Sequence, residues 1–273
     1  LASQRPDAYR ADLATSLSIT ANHLRDVGQY EQGLTLSREA LEIHRSLASQ
    51  RPDAYRANLA RSLSNTANHL SDVGQYEQGL TLSREALEIH RSLASQRPDA
   101  YRANLARSLS NTANHLSDVG QYEQGLTLSR EALEIHRSLA SQRPDAYRAD
   151  LAGSLSIYGQ LQLQSDALDA GLVSTRDAGK LLRLQAHSHG ELPYRDMLAY
   201  TCAVEAALQL GKREAAAART VALDGLKVLD ADLALRPRKF HPKLALRLGS
   251  LVDAVRSTGE HLQYQRVLAA LQS

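Results

Sequence analysis

The chain has 273 residues, with 32 Lys and Arg against 30 Asp and Glu, and its aromatic residues are eleven Tyr, one Phe and no Trp. The single cysteine, Cys202, excludes an intramolecular disulfide and a zinc site built from several cysteines. No run of 18 apolar residues occurs, which excludes a membrane-spanning helix, and the net charge of +2 argues against nucleic acid as a partner. Because no secretory signal pattern is visible, we expect a cytoplasmic location.

The dominant feature of the sequence is a tandem repeat with a period of 46 residues. The segment LASQRPDAYR begins at residues 1, 47, 93 and 139, and residues 47–92 and 93–138 are identical. Residues 1–46 differ from them at four places: Asp12 for Asn58, Thr15 for Arg61, Ile19 for Asn65, and Arg25 for Ser71. Such a period is typical of a solenoid. We predict about six units in one continuous array, near-identical over 1–158 and diverged over 159–273, where the last units form a C-terminal cap.

Each unit has the pattern of a helical hairpin. Pro52 suits the first turn of a helix, and apolar residues then recur every three or four positions, at Tyr55, Leu59, Leu63, Ala67 and Leu70. Gly74 is predicted to end this helix, and a second helix begins near Gln75. The short connection makes the two helices antiparallel neighbours, and Gly79 is predicted to permit their close approach. Gly211 and Gly259 fall near the position of Gly74 in the diverged units.

One set of residues resembles the tetratricopeptide repeat family. It comprises Gly74-x-Tyr76-x-x-Gly79, preceded by Ala67 and Leu70 and followed by Ala86-Leu87. The common unit of that family has about 34 residues, so this chain is more similar to the extended repeats of kinesin light chain and of bacterial regulators. The resemblance implies an all-α fold, a right-handed superhelix whose first helices line a concave groove, binding of a protein or peptide, and no catalysis.

The polar face of the first helix supplies the predicted groove. Asn can hydrogen-bond a peptide backbone, and Arg can bind a carboxylate in two-point fashion. Acidic residues on the same face, Asp26, Asp72 and Asp118, favour the alternative of a solvated face with internal Arg–Asp pairs over a carboxylate clamp. The residues predicted to line the groove are Thr15, Asn22, Arg25, Arg61, Ser64, Asn68, Arg107, Ser110 and Asn114.

The sequence favours neither an enzyme nor a metal protein. Phosphate-loop, dinucleotide-binding, zinc-protease and serine-hydrolase motifs are all missing, so we predict no catalytic residue and no cofactor. Histidine recurs twice in each near-identical unit, for example at His69 and His90, and we interpret these residues as packing side chains, not metal ligands. The basic run at 236–243 could contact nucleic acid or an acidic partner, but a solvated loop is the preferred interpretation.

Two further expectations concern the context of the array. Leu1–Gln4 matches the last turn of a second helix, so we expect at least one more unit upstream. The first unit lacks a polar capping face, and self-association through it is therefore one alternative function. The other alternative is a regulatory or sensor arm of a larger protein, such as a nucleotide-dependent switch.

Overall fold

A computed structural model describes residues 6–189, 194–235 and 242–272, and all regular secondary structure within these ranges is helical. Two short 3-10 segments, Arg256–Thr258 and Glu260–Gln263, precede the last helix. Leu1–Gln4 and residues 236–241 of the basic run lie outside the described residues. The twelve α-helices in the described ranges are α1 (Pro6–Asp26), α2 (Tyr30–Gln50), α3 (Pro52–Asp72), α4 (Tyr76–Gln96), α5 (Pro98–Asp118), α6 (Tyr122–Gln142), α7 (Pro144–Gln164), α8 (Leu168–His189), α9 (Arg195–Gly211), α10 (Ala215–Leu235), α11 (Pro242–Val255) and α12 (Gln265–Gln272).

The chain divides into two compact units, Leu1–Gln121 with α1 to α5 and Tyr122–Ser273 with α6 to α12. In the first unit α1 pairs with α2 and α3 with α4, while α2 packs against α3 and α4 against α5. In the second unit α7 pairs with α8 and α9 with α10, while α6 packs against α7 and α8 against α9. Consecutive antiparallel helix pairs in tandem confirm the predicted all-α repeat architecture.

The predicted helix boundaries are confirmed in the near-identical repeats. Pro52 lies in the first turn of α3, where its missing N–H leaves no bond unmade. Gly74 has a φ of +79°, and its N–H donates to the carbonyl of Ser71 at 3.1 Å. The next N–H, of Gln75, donates to the carbonyl of Leu70 at 2.8 Å. This pair of bonds is a Schellman motif, which ends the helix and turns the chain into α4.

Two of the turns in the diverged repeats form without glycine. Asp166 after α7 and Arg213 after α9 have φ values of +57° and +62°. Gly211, expected near this position, is instead the last residue of α9, two residues before the left-handed one. Gly259 does adopt the left-handed conformation, with a φ of +73°. The turn therefore persists because of its backbone hydrogen bonds, such as Ala167 N–H to the carbonyl of Gln162 at 2.8 Å.

The apolar stripe predicted for α3 forms the core of the first unit, since Leu63, Ala67 and Leu70 are all buried. The prediction for Gly79 is also confirmed, because a Cβ added there would lie 3.0 Å from the carbonyl oxygen of Ala67. In the second unit a larger core includes residues of every helix from α7 to α12 and contains Cys202, as predicted. Burial raises the pKa of the Cys202 thiol to about 12, so this cysteine is a packing residue, not a reactive thiolate.

Candidate functional site

A polar cleft of about 300 Å³ lies within the first unit, between α3 and α5. Because α3 and α5 have identical sequences, the cleft receives matching side chains from both helices. On α3, the positions 58, 61 and 65 are spaced by three and four residues, so their side chains share one face. The lining residues are Ala57, Asn58, Arg61, Ser64, Asn65, His90, Asn104, Arg107, Ser108 and Asn111.

The cleft coincides with the positions at which the repeats differ. Three of the four differences between the first repeat and the second, at positions 58, 61 and 65, are cleft-lining residues. The equivalent residues of α1 are Asp12, Thr15 and Ile19, and those of α7 are Asp150, Gly153 and Ile157. The Asn–Arg–Asn set therefore occurs on α3 and α5 but not on α1 or α7. The first repeat therefore differs from the next two at three positions that line the cleft and at one, Arg25 for Ser71, that does not.

The cleft is positively charged. Its lining residues include Arg61 and Arg107 and no carboxylate. Arg61 is exposed, and its guanidinium has no hydrogen-bond or ion-pair partner among the described residues. Burial, and then the charge of Arg107, lowers the pKa of His90 to about 4, so this imidazole is neutral at pH 7. The two guanidinium groups thus set the charge that a ligand meets.

The wall of the cleft is held by buried hydroxyl–imidazole pairs. His90 Nδ1 lies 2.6 Å from Ser108 Oγ, which fixes α4 against α5 beside the cleft. The same pair recurs one repeat earlier, where His44 Nδ1 lies 2.6 Å from Ser62 Oγ. Burial, and then Arg61, lowers the pKa of His44 as well. These repeated contacts hold α2 against α3 and α4 against α5, and they identify the histidines as packing residues, as the sequence indicated.

The structure brings only part of the predicted groove together. Arg61, Ser64 and Arg107 line the cleft. Asn68 and Asn114 are half-buried on α3 and α5 outside the cleft lining, and Ser110 is buried. Four asparagines of the lining, at 58, 65, 104 and 111, were not among the predicted groove residues. The signal that could have found them is the spacing of the repeat differences, which fall on one helical face.

The three predicted groove residues of α1 lie elsewhere. Asn22 is exposed, and the hydroxyl of Thr15 donates to the carbonyl of Ala11 at 3.0 Å. Arg25 reaches the next repeat, where its Nε lies 2.6 Å from Asp72 Oδ2. In the following repeat the equivalent Ser71 donates to Asp118 Oδ2 at 2.9 Å. Asp72 and Asp118 therefore join neighbouring repeats, which agrees with the alternative of internal pairing.

A second cavity, of about 380 Å³, lies in the second unit between α8, α9 and α10. Its lining combines Arg183, Arg195 and Lys227 with apolar side chains such as Leu198 and Val228. Arg183 is already paired with Asp224 across the cavity, so its charge is partly neutralised. This cavity lacks the repeated pattern of side chains that distinguishes the cleft.

Neither a metal site nor a membrane-spanning helix is found among the described residues. No group of three or more His, Cys, Asp and Glu side chains there is placed to hold a metal ion. No described helix is both long and apolar enough to cross a membrane.

Comparisons with known proteins show the fold. No family model and no curated protein matches the chain. Among solved structures, the apo form of RapI superposes with a TM-score of 0.60 at 15% identity, covering 97% of this chain and 82% of RapI. Aspartyl phosphate phosphatase F from Bacillus subtilis has a TM-score of 0.60 at 15% identity, covering 96% of this chain and 59% of the phosphatase.

A third similar structure is Acl4, described as an assembly chaperone of RpL4, with a TM-score of 0.52 at 16% identity. The match covers 94% of this chain and 89% of Acl4. Because these sequence identities are low, the matches show only that the proteins share a fold. Together with the tandem helix pairs, they confirm that the chain has the helical-repeat fold of tetratricopeptide-like proteins.

Proposed function

We propose that the chain is a non-catalytic scaffold that binds an extended, acidic segment of a protein partner in the polar cleft between α3 and α5. The observation that carries the proposal is the composition of the cleft, which has two guanidinium groups, four carboxamides and no carboxylate. A cleft of about 300 Å³ is at the lower end of ligand-binding sites, so it suits a short stretch of peptide and not a whole folded surface.

The asparagines suit the backbone of such a segment. A carboxamide offers both a donor and an acceptor, which match the C=O and N–H of an extended chain that makes no internal hydrogen bonds. Asn58 and Asn65 on α3 face the same cleft as Asn104 and Asn111 on α5. A segment lying between the two helices can therefore be bonded from both sides.

The arginines suit its acidic side chains. A guanidinium binds a carboxylate through two parallel N–H groups, and such charge-assisted bonds contribute about 1.5–3 kcal/mol. Arg61 and Arg107 occupy the same position of consecutive repeats. They would therefore select partners with acidic residues spaced along an extended segment.

Catalysis by the buried serine–histidine pairs is not supported. The pair occurs in three repeats, at His44–Ser62, His90–Ser108 and His136–Ser154, whereas an active site is a single constellation. Nε2 of His44 has no hydrogen-bond partner among the described residues, so none of their carboxylates orients that ring in the way a catalytic triad requires. Acl4, whose described role is that of a chaperone, supports a protein-binding use of this fold.

Selection from a random peptide display library on the whole chain tests the proposal. We expect enrichment of peptides rich in Asp and Glu, and the best peptide is then labelled and its affinity measured by fluorescence anisotropy. Replacing Arg61 and Arg107 by alanine should weaken binding by about tenfold to a hundredfold for each peptide carboxylate that no longer has a guanidinium partner.

The matched control is the double variant Arg38→Ala with Arg84→Ala. These arginines are also exposed and one repeat apart, but they lie on α2 and α4 and bond to Gln75 and Gln121. The control removes the same charge away from the cleft and should leave the affinity within about threefold of wild type, since it removes only screened long-range charge. Equal losses of affinity in the two double variants, or selection of peptides without acidic residues, would contradict the proposal.

A further inference from the structure

The cavity of about 380 Å³ between α8, α9 and α10, here called the second cavity, has an apolar side. Helix α9 packs against both α8 and α10 and contributes Leu198, which is buried. The four lining residues of α10 are spaced by three and four positions along the chain, so their side chains share one face of the helix. Among them Val228 is half-buried and Ala231 is small and apolar. The volume of the cavity is that of a site for a small molecule.

The charge of the second cavity is positive. Its described lining contains Arg183, Arg195 and Lys227 and one carboxylate, that of Asp224. Arg183 and Asp224 form an ion pair across the cavity, so their charges offset each other. Lys227 is exposed, and its ammonium group has no hydrogen-bond or ion-pair partner anywhere in the described ranges. Lys227 is therefore the cation of this cavity that is available to a ligand.

The second cavity can be compared with the near-identical repeats, because an ion pair sets the register between them. Arg45 of α2 pairs with Glu85 of α4, with 2.9 Å between Nη2 and Oε2. Arg183 of α8 pairs with Asp224 of α10 in the same way. The two carboxylates also lie at the same distance along the chain from the left-handed residue that precedes each helix. The residues of α10 can therefore be matched one by one with those of α4.

In this register Lys227 takes the place of Glu88, since each lies three residues after the paired carboxylate. Helix α4 thus has two carboxylates, Glu85 and Glu88, where α10 has one carboxylate and one ammonium group. Lys180 lies at the same position of α8, but its ammonium group bonds to Asp177 at 3.3 Å. The exchange of an acidic for a basic residue makes the second cavity suited to an anion, whereas the matching face of α4 would repel one.

We propose that the second cavity binds a small carboxylate that carries a short aliphatic chain. The ammonium group of Lys227 binds the carboxylate through a charge-assisted hydrogen bond, and Leu198 and Val228 cover the chain. Each CH2 group that is removed from water there should tighten binding about fourfold. The inference is independent of the polar cleft, because the site lies in the other unit and takes a free small molecule, not a peptide.

The test is isothermal titration calorimetry of octanoate into the whole chain at pH 7. We expect saturable binding of one octanoate per chain, with a Kd of about 1 mM or lower. Octyltrimethylammonium, which has the same aliphatic chain and the opposite charge, should show no saturable binding. From hexanoate through heptanoate to octanoate, the Kd should fall about fourfold for each added CH2 group.

Variants of Lys227 locate the site. Lys227→Ala should weaken octanoate binding about tenfold, and Lys227→Glu, which gives α10 the residue that α4 has at this position, should weaken it further. The matched control is Lys212→Ala, which removes another lysine of the same unit. Lys212 bonds to Asp169 at 2.6 Å and is not a lining residue of the cavity. This control should leave the affinity within about threefold of wild type, because it removes only screened long-range charge.

Three results would overturn the inference. The first is no saturable binding of octanoate up to about 10 mM. The second is equal affinity of wild type and Lys227→Glu, which would place octanoate elsewhere, for instance in the polar cleft. The third is equal affinity for octanoate and octyltrimethylammonium, because binding would then follow from the aliphatic chain alone.

Discussion

Protonation of His90 should destabilise the first unit at mildly acidic pH. This histidine is buried between α4 and α5, its Nδ1 is bonded to Ser108, and Arg107 is nearby. Burial and the charge of Arg107 lower its pKa to about 4 in the folded chain, against about 6.5 for an exposed histidine. Between these values the unfolded chain binds the proton and the folded chain does not. The free energy of unfolding therefore falls as the pH falls through this window.

The magnitude follows from the two pKa values of His90. A shift of one pKa unit corresponds to 1.36 kcal/mol, so the full effect below both values is about 3 kcal/mol. Between pH 7 and pH 5 this residue should remove about 2 kcal/mol of the free energy of unfolding. Burial lowers the pKa of His44 and His69 too, so they act in the same direction.

The assay is urea unfolding followed by circular dichroism at pH 7 and pH 5, on the wild type and on His90→Asn. Asparagine keeps a group able to bond Ser108 but does not titrate, so the loss between the two pH values should shrink by about 2 kcal/mol. His23→Asn, at an exposed position of α1, should change the free energy of unfolding at pH 7 by no more than about 0.5 kcal/mol. The reasoning is refuted if the free energy of unfolding falls as much between pH 7 and pH 5 in His90→Asn as in the wild type. It is also refuted by a carbon-13 imidazole signal, identified by its disappearance in that variant, that titrates near 6.5.

Two other predictions concern glycines within helices and an ion pair between neighbouring repeats. Gly249→Ala should raise the free energy of unfolding by about 0.5–1 kcal/mol, because a Cβ there meets none of the described residues within 4 Å and alanine is the better helix former. Gly79→Ala should lack this gain in stability, because its Cβ would press on the carbonyl of Ala67. If Gly79→Ala raises the melting temperature as much as Gly249→Ala does, the close approach of α4 to α3 at Gly79 is contradicted. Arg25→Ala should lower the free energy of unfolding by about 1 kcal/mol, because it removes the ion pair between α1 and Asp72. Arg25→Ser should lower it less, because the serine at the equivalent position one repeat later, Ser71, donates to the equivalent carboxylate, Asp118. Equal urea midpoints for the two Arg25 variants would count against that contact.

The repeat and its helices could be read from the sequence because their signals are local. The 46-residue period, the proline at the start of α3 and the glycine at its end act within a few residues of themselves. The apolar spacing of three and four residues likewise identifies the buried stripe of α3 without knowledge of its neighbours. The same periodicity placed Arg61 and Ser64 on the polar face that lines the cleft.

The cleft and the contacts between repeats could not be predicted from the sequence, because both depend on tertiary structure. Periodicity says which residues share a helical face, but not which part of that face meets the next helix. Asn65 and Asn111 therefore line the cleft while Asn68 and Asn114, one turn further along, do not. Ser37 and Thr66 are 29 residues apart, and their contact forms only because α2 packs on α3 in one particular axial register. The sequence determined the helices and their order, and the packing of one helix on the next decided which of their polar side chains are buried and which line the cleft.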